Sequence, residues 1–117
     1  IVLDAYFAQE IPKQFLSTAF FDLARSRLRA RSALLLLNVV LADDDDPKAQ
    51  RLMRTMRETW RDVRLLDAAG WRNRNAIIAA GSVRNLKRPR LLMAPKYSAR
   101  RIAAGLKTLD FRAPPSE

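Results

Sequence analysis

Apolar positions recur at helical spacing along most of this chain. Phe15, Ala19 and Leu23 follow Pro12 at four-residue steps beside Leu16, Phe20, Ala24 and Leu28, which predicts a first helix from Pro12 to about Arg29. The segment Ser32 to Ala42 is apolar on every side. Its four consecutive leucines favour helix over a buried strand, so it reads as the most buried helix or a continuation of the first.

The run Asp43-Asp44-Asp45-Asp46-Pro47 is a helix start: Asp46 caps the free N–H groups, Pro47 suits the first helical position, and the preceding acids face the positive end of the dipole. In the helix predicted from Pro47 to about Asp67, Ala49, Leu52, Met53, Met56, Trp60 and Val63 share one arc at about 100° per residue. Arg51, Arg54, Arg57, Arg61 and Arg64 occupy the adjoining arc, as a solvated flank pairing locally with Glu58 and Asp62, with phosphate or acidic-partner binding as the alternative. Gly70 predicts a left-handed cap, with Trp71 folding back on the last turn. Asn73 or Asn75 then caps a short helix through Ile77, Ile78 and Ala80, which Gly81 weakens and Pro89 stops. Asn85 to Pro95 has no helical period and reads as an extended connector. Ser98 caps a last helix carrying Ile102, Ala103 and Leu106 on one face.

These elements predict an all-α protein: a small irregular bundle of four to five helices with an extended basic C-terminal part. Residues 1–71 form a helical core with an N-terminal arm (Ile1 to Glu10), and residues 72–117, ending in a Pro-containing tail, complete the same single domain. With 117 residues and 49% apolar content, one modest core is what the chain can bury.

Charge changes the picture. Residues 1–71 carry eleven Lys/Arg against ten Asp/Glu, whereas residues 72–117 carry eleven against two, so nearly all of the +10 lies in the second segment. Such a density of like charge predicts an anionic neighbour: RNA, an acidic protein or an anionic lipid surface. Arg72, Arg74, Arg84, Lys87, Arg88, Arg90, Lys96, Arg100 and Arg101 are the candidate contacts, with Trp71 or Tyr97 available for base stacking.

Other chemistry is narrowed by what the chain lacks. With neither Cys nor His there are no disulfides, thiolate or imidazole metal ligands, Ser-His pairs or Cys-His pairs. The four adjacent Asp residues lack the alternation, glycine turn and distal bidentate acid of a calcium loop. Asp4, Glu10, Asp22 and Asp62 show no spacing that suggests paired-carboxylate catalysis. No cofactor is predicted. The longest apolar run, Ala33 to Ala42, falls well short of the roughly 20 residues that span a bilayer.

The expectation is therefore a non-enzymatic structural subunit of a large assembly. An RNA-contacting subunit of a ribosome or other ribonucleoprotein is favoured; an accessory subunit of a respiratory-chain complex or ATP synthase, with Phe7, Phe21 and Tyr97 as partner anchors, is the alternative. Ile1 in place of a start methionine and the pI near 11.2 suggest a mitochondrial location, otherwise a cytoplasmic one.

Overall fold

The computed structural model describes residues 1–8 and 10–113 and shows a mixed α/β protein, not the expected helical bundle. Strand β1 (Val2–Leu3) leads through a 3-10 turn (Lys13–Leu16) into helix α1 (Thr18–Arg27) and strand β2 (Leu34–Leu41). Helix α2 (Pro47–Thr59), strand β3 (Val63–Asp67) and strand β4 (Arg74–Gly81) follow, and helix α3 (Ala99–Lys107) and strand β5 (Asp110–Arg112) close the chain. The sheet order is β1-β2-β4-β3-β5. β1 and β2 run parallel, which the α1 crossover makes possible, and the remaining pairs are antiparallel.

Two of the expected helices are strands. The leucine run forms β2 because its alternate residues face different surroundings: Leu35, Leu37, Val39 and Leu41 are buried, while Leu34, Leu36, Asn38 and Val40 are half-buried. Pairing with β1 on one side and β4 on the other satisfies its backbone, and this tertiary gain outweighs the small helical preference of leucine. β4 behaves likewise: Ala76, Ile78 and Ala80 pair with Val39, Leu37 and Leu35 and share their buried face. The third predicted helix begins as expected, with Pro47 in its first turn and Asp46 accepting from the Lys48 amide at 2.9 Å. It stops at Thr59, and Val63 to Asp67 turns into β3.

Both long helices lie against one face of the sheet. Phe21 and Ala24 of α1 and Leu52, Met53 and Met56 of α2 form a single core with the buried residues of β2, β3 and β4. Phe21 meets Trp60 edge to face at 5.9 Å, joining α1 to the end of α2. Phe21 is fully buried, so it is a core residue and not the partner anchor its sequence position suggested. On the opposite face, Leu34, Leu36, Val40, Leu66, Ile77 and Phe111 are only half-buried. β1 is an edge strand.

The charge boundary near Gly70 falls in the turn between β3 and β4, so one sheet contains both sides of it. Gly70 is left-handed, φ 87°, as expected, but it turns a β-hairpin and does not cap a helix. Gly81 (φ 107°) lies so close to the chain before β2 that an added Cβ would sit 2.5 Å from the Ala33 carbonyl oxygen. The last helix forms where expected, though Ser98 starts it in a left-handed conformation (φ 60°) with no side-chain cap. The expected tail begins as β5, and its final residues, 114–117, lie outside the described residues.

Candidate functional site

β1 and β2 run parallel, and β1 ends at Leu3 opposite Leu37, four residues before β2 reaches its own carboxyl end at Leu41. Asp4 lies there, one residue past the pair Leu3–Leu37. Its exposed carboxylate accepts a 2.8 Å hydrogen bond from the Asn38 side-chain amide, and the Tyr6 hydroxyl donates to the Asn38 backbone carbonyl at 3.1 Å. The other side-chain atom of Asn38, Oδ1, is buried without a hydrogen-bond partner among the described residues. Burial pushes the Tyr6 phenol above its ordinary pKa; the Val40 backbone pulls the other way and the Asp4 charge adds to the rise.

Tyr6 opens into a cleft of about 520 Å³ bounded by the loop after β1 and the start of α2, a volume suited to a small molecule. Glu10, Ile11, Lys13 and Leu16 line one side, and Asp46, Lys48, Arg51 and Leu52 the other. Asp46 belongs to the helix cap: backbone hydrogen bonds from Ala42 above all, together with the Lys48 amide and nearby cations, outweigh burial and hold its pKa below the ordinary carboxylate value. Lys48 is likewise engaged, donating to the Val40 carbonyl at 2.9 Å. The side chains left for a ligand are the Glu10 carboxylate and the Lys13 and Arg51 cations. Just past the end of β1, Tyr6 adds a phenol to the cleft lining, and the Asp4 carboxylate lies nearby outside it.

Sequence reasoning singled out none of these as a site, because Asp4 and Asn38 become neighbours only through pairing across 34 residues. The residue types were visible, but their meeting depends on reading Ser32 to Ala42 as a strand.

The nine predicted anion contacts divide into two groups. Arg74 is buried: it donates to Asp67 at 2.7 and 2.8 Å and to Asp44 at 2.7 Å, so it is unavailable to a partner. Arg84 pairs with Asp62 at 2.9 Å, Arg88 with Asp110, and Arg72 reaches Asp43 at 4.0 Å. Lys87, Arg90, Arg100 and Arg101 are exposed, as is Lys96, which lies over the Tyr97 ring at 5.3 Å. Trp71, 69% exposed, and Tyr97, 74% exposed, remain open to contact.

The four-Asp loop is similarly occupied. Asp43 accepts from the Asp45 amide, Asp44 from the Gly70 amide and Arg74, and Asp46 from Ala42 and Lys48. Among the described residues no group of three acidic side chains is placed to hold a metal ion.

No family model and no curated protein matches the chain. A solved structure does: the crystal structure of a probable spermidine synthase from Corynebacterium glutamicum is similar over 97% of this chain, with a TM-score of 0.63 and 15% sequence identity. At that identity the likeness is one of fold. The match covers 40% of that protein, so this chain spans two fifths of its length.

Proposed function

We propose that this chain contributes the carboxyl-end cleft of an α/β enzyme domain that binds a small amine, in place of the structural, RNA-contacting role its charge suggested. The observation that carries the reading is the surplus of hydrogen-bond acceptors where β1 ends beside the middle of β2. The exposed Asp4 carboxylate has one amide donor, the buried side-chain oxygen of Asn38 has none among the described residues, and the Glu10 carboxylate lines the nearby cleft. An ammonium group offers only donors and a positive charge, so it complements such a set. The similar fold titled a probable spermidine synthase lends support, since spermidine is a polyamine. The half-covered sheet face and the edge position of β1 fit a chain that supplies part of a larger domain.

Lys13 and Arg51 act against a bare polyamine filling the whole cleft. The reading therefore places one ammonium group at Asp4 and Asn38, on the sheet face away from the helices, and another across the β1 edge at Glu10 in the cleft, with any anionic part of the ligand toward Lys13 and Arg51.

Calorimetric titration with spermidine tests this with unusual clarity, because a protein of net charge +10 repels a polycation in general. Saturable binding must then come from a local acidic site. Asp4→Asn and Glu10→Gln are each expected to weaken it about tenfold, the loss of one charge-assisted hydrogen bond. Absence of saturable binding, or equal binding by both variants and the parent, overturns the proposal. Steeply salt-dependent retention of single-stranded RNA in place of spermidine binding returns the ribonucleoprotein reading.

A further inference from the structure

Between Leu86 and Lys107 the chain carries seven Lys/Arg and no Asp or Glu. The same stretch contains some of the most exposed large apolar side chains: Leu92 and Met93 are both 85% exposed, Tyr97 is 74% exposed, and Leu91 and Ile102 are also exposed. Arg90 and Lys96 bracket the apolar run Leu91-Leu92-Met93, and Arg100 and Arg101 follow at the start of α3. No residue of α3 is buried. Ala99, Ile102, Ala103 and Leu106 fall on one arc of this helix at about 100° per residue, with Arg100, Arg101 and Lys107 outside it.

We propose that the connector after β4 and helix α3 form a docking surface for an anionic lipid membrane. Clustered cations are attracted to anionic head groups, while exposed Leu, Met and Tyr side chains enter the boundary between head groups and acyl chains. RNA accounts for the cations but offers Leu92 and Met93 no apolar region to enter. The surface lies apart from the cleft: none of the cleft-lining residues belongs to this stretch. No helix among the described residues is long and apolar enough to cross a membrane, so the attachment is peripheral.

Co-sedimentation of the 117-residue chain with vesicles tests the proposal. Vesicles of phosphatidylcholine with about one third phosphatidylserine are expected to carry the chain down at low salt, and pure phosphatidylcholine vesicles to leave it in solution. Arg90→Gln with Lys96→Gln is expected to weaken binding by about 25-fold, roughly fivefold per cation removed. Leu92→Glu with Met93→Glu is expected to abolish the remainder. All four residues are exposed, so unchanged circular dichroism and melting temperature are expected to show an intact fold. Equal binding to both vesicle types, no binding to either, or RNA outcompeting anionic vesicles for the chain overturns the proposal.

Discussion

Asp67 is the residue whose loss is expected to damage the fold most by a purely electrostatic route. Its carboxylate is fully buried at the end of β3, where Arg74 of β4 donates two hydrogen bonds to it and Arg112 of β5 a further one. Burial works to raise its pKa, but the hydrogen bond from Arg74 and the charges of Arg112 and Arg74 prevail and hold it below the ordinary carboxylate value. Asp67→Asn preserves the shape and removes the charge, leaving the buried Arg74 guanidinium with Asp44, which is half exposed, and the Trp71 carbonyl. Breaking a buried pair from one side costs about 3–5 kcal/mol. Because Asp44 keeps part of the compensation, the lower end applies, about 3 kcal/mol, or roughly 10 °C in melting temperature for a chain of this size.

Urea unfolding followed by circular dichroism measures the difference, provided the slope is shared by the two proteins. The pH dependence adds a second test. A carboxylate whose folded pKa is depressed contributes stability that is complete above its unfolded pKa, about 3.9, and is lost as pH falls through the folded value. The gap between parent and variant is therefore expected to be full at pH 7 and to close below about pH 4. A loss of under about 1 kcal/mol at pH 7, or a gap that does not narrow in acid, refutes this account of the cluster.

Three further outcomes follow from other parts of the fold. Phe21→Ala removes a fully buried ring that touches Trp60 and Phe20, and is expected to cost about 3–5 kcal/mol by the same denaturation assay. Gly81→Ala places a methyl group against the Ala33 carbonyl at a backbone angle that side chains rarely adopt; a loss of about 2 kcal/mol or more is expected, where the same change at an unstrained position gains about 0.4–1 kcal/mol. Asp46→Ala removes acceptors for the Lys48 and Ala42 amides and is expected to cost about 1 kcal/mol, with accelerated hydrogen exchange in the first turn of α2.

Local signals at α2 could be read directly from sequence. Asp46 and Pro47 specify a start through short-range chemistry, and the spacing of Ala49, Leu52, Met53 and Met56 survives as a buried face. The strands were concealed for a physical reason. In β2 both faces are apolar, so the alternation that marks a half-solvated strand is absent, and its leucines are equally at home in a buried helix. In β4, Ala76 to Ala80 likewise shows no polar alternation. What separates these segments from helices is their pairing with each other, a long-range property that propensity does not contain. The candidate site inherits that limit, since Asn38 serves it only as a strand residue opposite the end of β1. Charge pairing is a long-range property of the same kind. The C-terminal excess is real, but Arg74 and Arg84 are matched by acids from the other segment, Asp67, Asp44 and Asp62, which a segment-by-segment count separates.

The most direct test of the amine-binding account is a ¹H–¹⁵N correlation spectrum of the chain recorded with increasing spermidine. The account predicts saturable shifts gathered on Asp4, Tyr6, Glu10 and both the backbone and side-chain amides of Asn38. Shifts scattered over surface acids such as Asp22, Asp45 and Asp110, rising without saturation, contradict it.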